Sequence, residues 1–217
     1  MRTYSYSAAV LALLLTGLLT GCDQVQEARN QANAVASLSR AAENMEQSLA
    51  DAGKRQAERR QKGDTLAIPY QQLQQYLPTQ IDGYQKAGDP EGSMINMTGM
   101  SYSTCSQEYK AGPDDNPRTL KVTIVDYNSA AGLYTAATAM VGAGFSMEDD
   151  QQKVQSADLG VGGIKALETY YKQDHRASLA AGVNDRFFLT VEATQQDDTE
   201  LVRKVAKDLD LGKLAGL

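Results

Sequence analysis

The sequence predicts an α+β fold: an N-terminal helical stalk followed by an antiparallel sheet packed with helices. Three observations predict it. Residues 24–62 hold no proline and one glycine, Gly53, and place apolar residues at helical spacing. Three strand-like runs, 164–172, 176–183 and 186–193, follow one another across short turns, as in a meander. Helical patterns at 129–145 and near the C-terminus flank those strands, and helices segregated to one face of neighbour-paired strands define the α+β class.

The chain opens with Arg2 and an apolar run, residues 8–19. That run falls short of the ~20 residues a membrane span needs and has the length of a secretory core. It ends in Leu19-Thr20-Gly21-Cys22, which resembles the lipobox of bacterial lipoproteins. The resemblance covers the first 23 residues. It implies a signal peptide over 1–21, cleavage before Cys22, and a diacylglyceryl group and a third, palmitate-type chain on that cysteine. Two or more acyl chains anchor a protein stably where one does not. Asp23 follows, and in such lipoproteins it resembles an inner-membrane retention signal. The expectation is a lipid-anchored protein on the periplasmic face of the bacterial inner membrane.

Residues 22–63 are read as the lipidated N-terminus and a helical tether. Val25, Ala28, Ala32, Val35, Leu38, Ala42, Met45, Leu49 and Ala52 recur every three or four residues. As one straight helix the stretch reaches on the order of 58 Å. An alanine-rich seam buries little, so it reads as a spacer, with weak self-association through the stalk as the sharper alternative. The basic run Lys54, Arg55, Arg59, Arg60 and Lys62 reads as a solvated helix face. Gly63-Asp64 reads as the stop.

The globular domain is placed at 68–217. A short helix follows Ile68-Pro69, with Tyr70, Leu73, Tyr76 and Leu77 on one face and Pro78 closing it. Residues 81–84 turn into a short strand, and 88–93 (GDPEGS) read as loop. Residues 100–109 and 118–127 read as strands joined by the loop AGPDDNP. In the second, Leu120, Val122 and Ile124 alternate with Lys121, Thr123 and Val125. Residues 129–145 read as a helix, 152–157 as a strand and 160–163 as a turn. The meander follows, and Asp197 or Asp198 caps a last helix that buries Leu201, Val202, Val205, Ala206 and Leu209. This order of elements, together with the lipobox, resembles the PsbP-like fold, over residues 68–210. The resemblance implies a binding or assembly role.

Composition narrows the function. The net charge is −6, which argues against a nucleic-acid partner. With Cys22 acylated, Cys105 is alone and no internal disulfide forms; its strand-like surroundings favour burial. One histidine, His175, and one free cysteine do not make a structural zinc site. Gly160–Gly163 lacks the ending of a phosphate loop, and the pairs Asp114-Asp115, Asp149-Asp150 and Asp197-Asp198 lack calcium-loop spacing. No catalytic residue, metal or cofactor is assigned. The candidate binding face is Asp126, Tyr127, Glu168, Tyr170, Asp185 and Arg186, read as polar groups on a sheet face, where cross-strand charge pairing is the plainer role. The expected function is a non-catalytic binding or envelope-assembly role with an envelope protein partner. The alternatives are an envelope enzyme using Asp126 and Glu168, and a small-ligand carrier with an apolar pocket under the 129–145 helix.

Overall fold

The computed structural model describes residues 46–47, 50–141, 144, 146–162 and 164–217. The signal segment, Cys22, Asp23 and residues 24–45 lie outside them. In chain order the elements are helix α1 (residues 50–61), α2 (Tyr70–Leu73), a 3-10 turn (Gln74–Tyr76), strands β1 (Gln85–Lys86), β2 (Glu91–Met97), β3 (Met100–Ala111) and β4 (Arg118–Asp126). Helix α3 (Ala131–Thr138) comes next, then β5 (Ser146–Glu148), β6 (Gln152–Asp158), β7 (Lys165–Tyr171), β8 (Arg176–Val183) and β9 (Phe187–Ala193). Helices α4 (Glu200–Asp208) and α5 (Leu211–Ala215) end the chain.

The strands form one antiparallel sheet in the order β1–β3–β4–β9–β8–β7–β6–β5, with β2 beside β1 along the same edge of β3. It consists of two meanders, β2–β3–β4 and β5–β9, joined where β4 pairs with β9 from Leu120↔Ala193 to Asp126↔Phe187. The turns carry the chemistry that tight antiparallel corners require. Asn184 and Asp185 between β8 and β9 sit at φ 53° and 46°, the signature of a mirror-image type I turn.

Period-two alternation gives the sheet two different faces. Cys105, Tyr109, Leu120, Val122, Ile124, Leu179, Val183, Phe187, Leu189 and Val191 point to one side and are buried. Leu73, Leu77, Val202, Val205, Leu209, Leu211 and Leu214 cover them from α2, the segment after the 3-10 turn, α4 and α5. On the other side Tyr102, Thr104, Ser106, Thr123, Val125, Phe188, Thr190, Ser178 and Ala180 are half-exposed. Helix α3 lies on that side, against β8 and β9. It sits close because Gly182 has no side chain: a Cβ there would fall 2.6 Å from Tyr134 Oη and 3.0 Å from Thr138 Cγ2.

Three local expectations change. The 88–93 loop is cut short, since β2 begins at Glu91 and pairs with β3 along its whole length. Cross-strand pairing outweighs the turn-like composition of the segment. The 129–145 helix shrinks to α3; downstream, Gly144 takes φ 63°, which a helix cannot use. Beyond α4 the extra helix α5 starts on Asp210, whose Oδ1 accepts from the Lys213 amide at 3.0 Å. The N-cap of α4 is Thr199 rather than Asp197 or Asp198; Asp198 stands one residue earlier, its Oδ1 accepting from the Glu200 amide at 2.8 Å, because the Thr199 hydroxyl is turned to Glu168.

Candidate functional site

Asp126 is the last residue of β4 and shares the parity of Leu120, Val122 and Ile124. That places its carboxylate on the helix-covered face, fully buried. The β8–β9 turn brings Arg186 to meet it. Arg186 Nε donates to Asp126 Oδ1 at 2.9 Å and Nη2 to Oδ2 at 2.8 Å, the two-pronged geometry arginine favours. Arg186 Nη1 donates to Asp64 Oδ2 at 2.9 Å and to the Leu217 carbonyl at 3.0 Å. Asp126 also accepts from the amides of Ile68 at 2.8 Å and Asn128 at 2.9 Å.

Asn128 extends this cluster. Its Nδ2 donates to Asp64 Oδ1 at 2.7 Å and to the Leu66 carbonyl at 2.9 Å. Its Oδ1 accepts from Arg59 Nε on α1 at 2.7 Å. Gln56 donates to the Asn128 carbonyl, and Arg55 forms an ion pair with Asp185. The basic run is therefore partly docked: Arg55 reaches Asp185 in the β8–β9 turn while keeping 44 % of its side chain in water, and Arg59 reaches Asn128. Burial, and then repulsion from Arg186, lower the pKa of Arg59. Three serines hold the segment between α1 and α2. Ser101 Oγ accepts from the Ala67 amide, while Ser103 and Ser129 donate to the carbonyls of Ile68 and Thr65.

Glu168 has a separate environment. It lies on β7, on the helix-covered face, and is fully buried. Arg203 of α4 grips it with Nε to Oε1 at 2.6 Å and Nη2 to Oε2 at 2.5 Å. Thr199 Oγ1 donates to Oε2 at 2.7 Å and Gln155 Nε2 at 3.3 Å. Burial pushes the Glu168 pKa up, but the hydrogen bonds from Arg203, Thr199 and Gln155 outweigh it and hold the carboxyl below its usual range. The same contact raises Arg203.

The six sequence-predicted residues therefore do not share one solvated face. Asp126 and Arg186 meet in the interior; Asp185 adjoins them through the turn. Glu168 pairs with Leu179, which pairs with Val191, which pairs with Val122. That puts it three strands from β4 and four residues short of Asp126, about 20 Å away at ordinary strand spacings. Tyr127 belongs to an aromatic row, its ring centroid 6.2 Å from Tyr102 and 6.4 Å from Tyr134. Burial, then Tyr102, raise its pKa. Tyr170 is half-exposed, with its hydroxyl 3.4 Å from His175 Nδ1. Asp126, Glu168 and Arg186 leave the candidate face because the burial of one side of the sheet extends to their positions. Burial is tolerated because each charge meets its opposite: Asp126 pairs with Arg186, and Glu168 with Arg203.

Asp126 accepts two hydrogen bonds at each oxygen, whereas Glu168 accepts three at Oε2 and one at Oε1. Burial pushes the Cys105 thiol up to about 12, and it is 1 % exposed, which leaves it without thiolate character at neutral pH. Among the described residues no group of three His, Cys, Asp or Glu is placed to hold a metal ion, and no helix is long and apolar enough to cross a membrane. One feature escaped the sequence reading. A groove of about 330 Å³ runs between the 78–82 turn and α4, with Pro78, Ile81, Asp82, Leu201, Lys204 and Val205 among the residues that line it. It brings together segments more than a hundred residues apart, and no local pattern signals it.

The chain matches no protein-family model, and neither the curated proteins nor the solved structures contain a significant match to it.

Proposed function

We infer that the protein is a lipid-anchored lipoprotein of the bacterial envelope. Cys22 carries the acyl chains, Asp23 keeps it in the inner membrane, and the domain acts in the periplasm by binding an envelope protein rather than by catalysis. Helix α1 is then the membrane-distal end of a helical stalk, and the domain a PsbP-like one. The lipobox residues Leu19–Cys22 support the anchor. The observation that carries the binding role is the asymmetry of the sheet. Among the described residues three helices cover one face, while α3 lies on the other against β8 and β9, and a surface rich in Thr, Ser and Tyr stays half-exposed there. Exposed aromatic and hydroxyl groups on a rigid scaffold suit protein recognition. The carboxylate enzyme reading loses support because Asp126 and Glu168 do not converge.

Fractionation and in-cell crosslinking test this together. The wild-type chain is expected in the inner-membrane fraction, labelled by radioactive palmitate, and Cys22→Ser is expected to lose both. A photo-crosslinker at Thr123 or Thr190 on the open face is expected to capture one reproducible envelope protein. An unlabelled, soluble wild-type chain would defeat the anchor. Anchoring with no capture from the open face would defeat the binding role.

A further inference from the structure

The sheet ends in two unlike edges. At one, β5 is three residues long and its Glu148 is held by Lys172 at 3.0 Å. Short, charged edge strands resist pairing. At the other, β2 runs seven residues, and no strand lies beyond it among the described residues. It has no lysine, arginine or proline, and its one charge, Glu91, stands at its first position. Ile95 is 38 % and Met97 58 % exposed. Such an edge offers unpaired backbone groups to another strand.

We propose that β2 pairs antiparallel with β2 of a second copy of this chain, across a two-fold axis at Met94, to make one continuous sheet. The strand is self-complementary in this register. Glu91 lies opposite Met97, Gly92 opposite Asn96, Ser93 opposite Ile95, and Met94 opposite itself. The two Glu91 carboxylates then stand about 20 Å apart, at ~3.4 Å per residue. A parallel pairing would set them side by side, where like charges repel. The apolar centre of the strand falls on the axis. Met94 shares the face of Ser103, and the two Met94 side chains meet there. Ile95 shares the face of Tyr102, and the two Ile95 side chains meet diagonally on it. Seven paired residues bury less than the ~1,600 Å² of a standard interface, so the dimer is weak and concentration-dependent. A net charge of −6 on each copy makes added salt strengthen it.

Single cysteines in the full-length Cys22→Ser chain, held in mild detergent, read the register; buried Cys105 does not compete. Met94→Cys is expected to form a disulfide-linked dimer on mild oxidation. A mixture of Ser93→Cys and Ile95→Cys chains is expected to form the mixed dimer, while Glu91→Cys stays monomeric. In sedimentation, Ile95→Lys is expected to weaken self-association by about tenfold or more, a change of ~1.4 kcal/mol, without moving the unfolding midpoint. Met94→Cys chains that stay monomeric, Glu91→Cys linking as fast as Met94→Cys, or a monomer at every concentration would each overturn the proposal. A β2 that captures a strand of a different protein while the chain itself sediments as a monomer counts among these. The anchor plays no part in this test, so its failure stays separate from that of the lipoprotein reading.

Discussion

Two arginine–carboxylate pairs stand on the same face of the sheet, and they differ in what they join. Glu168–Arg203 ties one helix to one strand, and its arginine keeps 33 % of its side-chain surface in water. Asp126–Arg186 is sealed, at 0 % and 3 %. Through Asp64 and the Leu217 carbonyl it gathers stretches that are 122 and 31 residues from Arg186 in the chain. The first pair fastens α4 in place; the second is a junction where α1, the 62–69 segment, the end of β4, the β8–β9 turn and the C-terminal residue converge. Equal chemistry therefore carries unequal structural weight, and the weight follows burial and the number of segments held.

Mutations can break this comparison in order of size. Arg186→Met leaves the Asp126 charge buried and unpaired, and is expected to cost about 3–5 kcal/mol in urea unfolding. The double change Asp126→Leu with Arg186→Met is expected to recover much of that, because the cost comes from the orphaned charge. If the double variant is no more stable than the single one, the junction works through its neutral hydrogen bonds instead.

Glu168→Gln is expected to cost less, about 1–3 kcal/mol at neutral pH, since Arg203 regains water. Its pH dependence sharpens the contrast. A folded-state pKa below the ordinary value means that the carboxylate stabilises fully above the ordinary glutamate range and loses that effect as pH falls through the folded value. The stability gap between wild type and Glu168→Gln is thus expected to narrow once the pH drops below about 4.3. A gap that is constant down to pH 3 would mean the charge contributes nothing.

The smallest effect is expected at Arg55. Its ion pair with Asp185 leaves 44 % and 23 % of the two side chains exposed, so Arg55→Ala should cost under about 1 kcal/mol. Amide exchange over residues 50–61 should nonetheless quicken, because the pair holds α1 to the corner. Unchanged exchange would leave the docking of α1 to Arg59 and Asn128.

Much of the fold was readable in the sequence wherever one period persisted. Residues 118–127, the meander and the stripe of α4 each repeat a single pattern, and the elements match to within a residue or two. What failed was set by distant partners. The first residues of β2 look like loop until β3 lies beside them, and α3 stops at Thr138 although the helical pattern runs on towards 145. The buried charges were half readable. Asp126 continues the parity of Leu120, Val122 and Ile124, which places it inside; its partner lies 60 residues on, and nothing local identifies Arg186 as that partner.

The joint between the two meanders also dictates an order of events when the chain folds. β3 and β4 close a short loop, and β6 to β9 pair along a run of neighbours, so each half forms from local contacts. The β4–β9 seam bridges residues about 60–70 apart in the sequence and sits in the middle of the finished sheet. Its closure pays the larger loop entropy and comes late. Until then β4 is a long apolar strand with one side unpaired, Leu120, Val122 and Ile124 included, and the half-folded chain is at its stickiest there. The interval between completing the first meander and delivering β9 is when this protein most needs protection from its neighbours.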